Sequence, residues 1–202
     1  MNNIYLLLGS IGSGKSFIGK ALFAGCKLDY VSSDLYKKLF FDSNEDELSL
    51  GYRKADILAE FKMENNCKKK IDFIYELCPT NQNKIEKIKD LKRIYDCNII
   101  SFVIGTEDVN ININRVINRF KFEGADPVSE DKVYSRYFET FKNLPQIISF
   151  SNSTYFIDNS IETIEIAYLV NNTLHVFNHA NWFYKYFLTE KNEKNEGELH
   201  TN

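Results

Sequence analysis

Residues Gly9-Ser10-Ile11-Gly12-Ser13-Gly14-Lys15-Ser16 match G-x-x-x-x-G-K-[ST] at every fixed position. The context matches too. The apolar run Ile4 to Leu8 precedes the motif, and Phe17, Ile18, Ala21 and Leu22 follow it at helical spacing. A buried strand, a glycine loop and a helix N-terminus together form an anion site. Glycines let the backbone wrap a phosphate with its N–H groups turned inward, and the helix end adds positive partial charge. Gly9, Ser10, Gly12, Ser13 and Gly14 are therefore expected to cradle phosphate. Lys15 reaches the β- and γ-phosphates, and the Ser16 hydroxyl is a ligand for Mg2+. These residues predict a site for a nucleoside triphosphate.

The remainder of the chain alternates in a way that suits such a loop. Leu28 to Ser32, Asp72 to Leu77, Asn98 to Gly105 and Thr154 to Asp158 read as strands. Asp34 to Phe41, Glu45 to Asn65, Asn83 to Tyr95, a segment after Thr106, and Glu130 to Leu144 read as helices. Thr106 is placed as a cap, Pro145 as a helix stop, and Val109, Ile113, Val116, Ile117 and Phe120 as an apolar stripe. Thr163 to Val170 and Leu174 to Phe177 suggest a hairpin across Asn171-Asn172, with a short helix from Asn181 to Leu188. This order predicts an α/β fold: a P-loop NTPase or kinase-like three-layer sandwich with a mostly parallel central sheet, ending in a small hairpin and helix. Residues 1–190 are expected to form one domain and 191–202 a polar, disordered tail.

Composition narrows the function classes. The 25 Lys and Arg against 28 Asp and Glu give a formal charge of -3, so the chain is not expected to bind nucleic acid. No apolar run is long enough for a signal peptide or membrane span, which predicts no membrane contact. The four cysteines make no C-x-x-C pair, and buried free thiols in a cytoplasmic protein are expected. His175 and His179 lack a third ligand nearby and read as structural or surface residues.

Three further positions fall where a parallel sheet places its ligands, at the carboxyl ends of strands. Asp34 follows Val31-Ser32-Ser33 and suits either a base for an acceptor hydroxyl or a helix N-cap. Glu76 ends the strand Asp72 to Glu76 and suits either magnesium organisation or substrate contact. Arg115 and Arg119 share one helix face, and Arg136 lies on the next helix. Arginines there would stabilise charge on a transferring phosphoryl group. The motif alone leaves a phosphotransferase, a GTPase switch and an ATP-driven motor open, although no N-K-x-D string is present.

Together these segments resemble the zeta toxin family of P-loop kinases, from the P-loop to about Leu188. The likeness runs through GSIGSGKS, VSSD, the Tyr52-Arg53-Lys54-Ala55 helix, DFIYE, RVINRFKFEGADPVSEDKVYSRYFETFKNL, YFIDNS and Asn181-Trp182-Phe183. It implies transfer of the ATP γ-phosphoryl to a hydroxyl, with ATP and Mg2+ as cofactors. The family's best-known acceptor is UDP-N-acetylglucosamine at its 3′-hydroxyl, a reaction that inhibits cell-wall synthesis. By motif position Asp34 is the base, Lys15, Arg119 and Arg136 contact phosphates, and Arg115 stands close to the nucleotide. Glu76 and Arg53 fall on the substrate side. A trans-acting antitoxin is the implied partner. The loop Glu123-Gly124-Ala125-Asp126-Pro127 lacks the histidine common in the family. That departure motivates one alternative, a kinase of another nucleotide or metabolite; a non-catalytic nucleotide-dependent binding module is the other.

Overall fold

In the computed structural model, which describes residues 1–40 and 45–188, a seven-stranded sheet runs in the order β2-β3-β1-β4-β5-β6-β7. The first five strands are parallel: β1 (Asn3–Leu8), β2 (Asp29–Val31), β3 (Phe73–Leu77), β4 (Asn98–Gly105) and β5 (Ser153–Asp158). Strand β1 lies between β3 and β4, with Leu6 opposite Tyr75 on one side and Ser101 on the other. Covered on both faces, it is apolar at successive positions rather than at alternate ones. Leu6 and Leu8 point into one core and Leu7 into the other.

The larger core lies under four helices: α3 (Glu45–Lys68), α4 (Gln82–Tyr95), α6 (Glu130–Phe150) and the short α7 (Asn181–Phe183) with its π-helical continuation Tyr184–Leu188. Met63, Ile88, Phe141, Leu144, Trp182 and Phe183 are buried there against the sheet. On the opposite face α1 (Lys15–Leu22) packs Ile18 onto Leu7, Ile74, Ile104 and Ile157. Beyond α1 that face carries a row of rings, Phe102 stacked on Tyr155 at 5.2 Å and Tyr155 tilted on Tyr168 at 6.2 Å. The remaining helices are α2 (Ser33–Lys37) and α5 (Val109–Glu123). Strands β6 (Ile164–Val170) and β7 (Thr173–Val176) add the antiparallel hairpin. Asn171 and Asn172 take φ of 48° and 60°, the left-handed pair that a tight hairpin turn requires. No helix among the described residues is long and apolar enough to cross a membrane.

Several expectations are corrected. Helix α6 does not stop at Pro145 but runs on to Phe150 with the proline inside it. Its apolar stripe continues through the fully buried Leu144 and Ile147, and their burial outweighs the hydrogen bond that proline cannot make. Thr106 does not cap α5; Asp108 does, its side chain accepting from the Asn110 N–H at 2.7 Å. The face of α5 turned inward carries Asn112 and Val116, while Phe120 is exposed. The helix expected from Asp34 to Phe41 stops short, running only from Ser33 to Lys37 before a turn at residues 38–40. Phe41 itself and the tail from Lys191 lie outside the described residues. Cys67 and Cys97 are buried free thiols, as expected, whereas Cys26 is exposed.

Trp182 rests on the C-terminal end of β4. A Cβ added at Gly105 would stand 2.5 Å from its ring. Gly105→Ala is therefore expected to destabilise the fold by about 1–3 kcal/mol through overpacking. Thermal unfolding would show this as a Tm lowered by several degrees.

Candidate functional site

The loop from Gly9 to Gly14 joins β1 to α1 at the carboxyl edge of the sheet, and its conformation demands glycine. Gly12 and Gly14 have φ of 79° and 96°. A Cβ at Gly12 would meet the Asn112 carbonyl oxygen at 2.6 Å, and one at Gly14 would meet the Asn159 amide at 2.2 Å. The two asparagines press on the loop because they hold it. Asn112, fully buried, donates from Nδ2 to Ser10 Oγ at 2.7 Å and to the Ile11 carbonyl at 2.6 Å. Thr106 Oγ1 donates back to Asn112 Oδ1 at 2.5 Å, fixing the amide's orientation. Asn159 donates to the Ser13 carbonyl at 2.8 Å and accepts from Thr163. The Lys15 ammonium donates to the Ser10 carbonyl at 2.8 Å, which keeps it folded over the loop.

A cleft of about 1420 Å³ opens from this loop across the sheet edge. Among the described residues it is lined by nine Lys and Arg side chains and five carboxylates, so it is basic in a chain whose formal charge is -3. Lys15, Ser16, Asp34, Glu76, Arg115, Arg119 and Arg136 all line it. Gly12 and Gly14 line it as well, whereas Gly9, Ser10 and Ser13 sit beneath its surface. Arg53 does not line it: the side chain is exposed on α3, and the neighbouring Tyr52 faces the cleft instead.

At one end, Ser16 Oγ lies 2.9 and 3.0 Å from the two Glu76 oxygens, and Tyr30 donates to Glu76 Oε2 at 2.6 Å. Burial, with Glu76 alongside, pushes the Tyr30 phenol well above its ordinary pKa. A hydroxyl and a carboxylate form a hard oxygen set. That set fits Mg2+, which takes one or two carboxylates and completes its shell with phosphate and water. Across the cleft, Asp34 sits in the first turn of α2 with its side chain 78% exposed, 3.5 Å from Lys37. Lys37 also pairs with Asp126 at 2.7 Å, so it ties α2 to the loop after α5. Burial works against the Lys37 charge, but the pairing with Asp126 and Asp34 prevails and holds its pKa above the ordinary value.

Arg115 donates to the Ser160 carbonyl at 3.2 Å, while its Nη1 is buried with no partner among the described residues. Burial lowers its pKa despite the charge of Asp158. Ser13 Oγ is likewise buried and unpartnered among them. Of the two, Arg115 belongs to the cleft wall, and an orphaned guanidinium nitrogen there is what an anionic ligand would satisfy. Arg119 is exposed, 3.9 Å from Glu123, and Arg136 is half-buried on α6.

Sequence patterns alone missed Asn112, Asn159 and Tyr30. A polar residue on the apolar face of α5 was the available signal for Asn112, and a position just past a strand's carboxyl end was the signal for Asn159. Nothing local marks Tyr30. Asn112→Ala removes both donors to the loop and is expected to weaken ATP binding by about tenfold or more, given roughly 1–3 kcal/mol for unsatisfied buried partners. Calorimetric titration of the variant would check this.

No family model and no curated protein sequence matches the chain. Solved structures do. A chain of the AvrRxo1-ORF1:AvrRxo1-ORF2 complex with sulphate ions superposes with a TM-score of 0.71 at 17% identity, covering 92% of this chain and 63% of that one. The complex with ATP gives 0.66 at 14%, again covering 92% and 63%. A chain of the PezAT chromosomal toxin–antitoxin system of Streptococcus pneumoniae gives 0.63 at 13%, covering 98% and 83%. The chain thus spans less than two thirds of the AvrRxo1 chain it resembles. At these identities the likeness establishes the fold alone, an α/β sandwich with a P-loop after its first strand.

Proposed function

We propose that this protein is an ATP-dependent phosphotransferase acting on a hydroxyl of a sugar nucleotide, the 3′-hydroxyl of UDP-N-acetylglucosamine. The observation that carries the reading is the disposition of the cleft. The loop with Lys15, Ser16 and Glu76 stands at one end, and Asp34 stands across the same basic groove. The AvrRxo1 complex solved with ATP supports the choice of nucleotide.

ATP would lie with its β- and γ-phosphates on the loop amides and Lys15, and Arg115 would meet it with the free Nη1. Ser16 and Glu76 would hold Mg2+, which supplies charge neutralisation on the phosphates. Asp34, open to the groove, would accept a hydrogen bond from the acceptor hydroxyl, orient its oxygen toward the γ-phosphorus and take its proton. Arg119 and Arg136 would face the charge that spreads over the transferring group. Because PezAT is a toxin–antitoxin system, an antitoxin supplied by a separate chain is the proposed partner.

Mass spectrometry of UDP-N-acetylglucosamine incubated with ATP, Mg2+ and protein tests this. A product heavier by one phosphoryl group is expected, and its absence would sink the acceptor. A second reading keeps the transfer but changes the acceptor to another nucleotide or metabolite. The Lys37–Asp126 pair supports it: through Lys37 it brings a second carboxylate near Asp34, the proposed base, in a loop that lacks the histidine of the family the chain resembles. A metabolite extract supplied as acceptor separates the two.

A further inference from the structure

We propose that Tyr30 is a positioning residue for the metal end of the cleft. Its hydroxyl fixes the Glu76 carboxylate against Ser16, so that the two present oxygens in a set geometry to the magnesium ion that accompanies the nucleotide. The inference rests on the kinase reading and adds to it a residue that neither the motif nor the resemblance singles out.

Three elements converge to make the contact. Tyr30 pairs with Ile74 in the β2–β3 register, and Ile74 and Glu76 point to the same face of β3. That face is the one covered by α1, which brings Ser16. The tyrosine ring packs against the cluster of Leu7, Ile18, Ile74, Ile104 and Ile157, so its hydroxyl is held by packing rather than by chance rotation. Helix α1 leaves room for it at Gly19, where an added Cβ would approach the Tyr30 oxygen at 3.4 Å and Leu7 Cδ1 at 2.3 Å.

A carboxylate has two oxygens and about four lone-pair directions. Tyr30 occupies one direction on Oε2 at 2.6 Å, and Ser16 lies 2.9 and 3.0 Å from the two oxygens. The anchored carboxylate can then turn neither away from Ser16 nor out into solvent. Partners one step removed from a metal act in this manner, and their loss costs about 10–100-fold in metal affinity.

The test uses Mn2+ as the probe. Free Mn2+ is measured by electron paramagnetic resonance in the presence of protein and a non-hydrolysable ATP analogue. Tyr30→Phe keeps the ring and removes only the hydroxyl. It is expected to weaken Mn2+ binding to the protein–nucleotide complex by about 10–100-fold. Analogue affinity measured in EDTA should stay within about twofold of wild type, because no loop contact is lost. Glu76→Gln is the companion variant, and its Mn2+ affinity should fall at least as far. Wild-type Mn2+ affinity in Tyr30→Phe overturns the proposal. Equal weakening of the analogue with and without Mn2+ also overturns it, because a merely structural tyrosine would behave that way. If the wild-type protein binds no analogue in either condition, the kinase reading itself falls and carries this inference with it.

Discussion

Exchanging Asp34 for asparagine is expected to lower the turnover number for phosphoryl transfer by about 10²–10⁴-fold, the usual contribution of a positioned base. ATP affinity should stay within about twofold, since among the described residues Asp34 makes no hydrogen bond or ion pair with the loop. Asparagine keeps the shape and the hydrogen-bonding oxygen but cannot take the proton. Stability should hardly change: the one ion pair lost is with Lys37 at 3.5 Å, the carboxylate is 78% exposed, and Lys37 keeps Asp126. Steady-state kinetics with calorimetric ATP titration checks both halves. A variant that turns over at the wild-type rate removes Asp34 from the chemistry.

The second large effect belongs to Lys15. Lys15→Met is expected to damage binding and catalysis together, in contrast to Asp34→Asn. The ammonium is nearly buried and its held position over the loop is set by the Ser10 carbonyl. Losing one charged donor costs about 10–100-fold in ATP affinity and about 10²–10³-fold in turnover. The Ser10 carbonyl loses one of two donors and keeps the Ser13 N–H at 3.2 Å, so only a small fall in Tm should accompany the functional loss. ATP titration followed by single-turnover transfer at saturating ATP separates the two components. Unchanged affinity would mean that the loop binds its phosphates through backbone amides alone.

The parts of the site that could be read from the sequence are those whose chemistry is local. The P-loop spans eight consecutive residues whose glycines, lysine and serine each have a fixed task, so spacing alone reveals them. Asp34 and Glu76 could be found because a parallel sheet delivers strand ends to one edge, whatever the side chains beyond do. The braces could not be found in the same way. Asn112 reaches Ser10 across 102 positions and Asn159 reaches Ser13 across 146, and no short-range pattern encodes either distance. Arg53 shows the limit on a helix. A step of one residue turns the side chain by about 100°, which puts Tyr52 on the cleft and Arg53 in solvent. Pro145 shows the limit of punctuation rules, since the burial of Leu144 and Ile147 carried α6 past it.

The contact of Trp182 with the end of β4 has a consequence for how the molecule can be watched. Its indole N–H donates to Asp158 at 2.8 Å, Asp158 accepts from Ser160, and the Ser160 carbonyl holds Arg115 at the cleft wall. The chain has one tryptophan. Its emission is therefore a native optical signal three contacts removed from the cleft, available without a label and free of interference from any other indole.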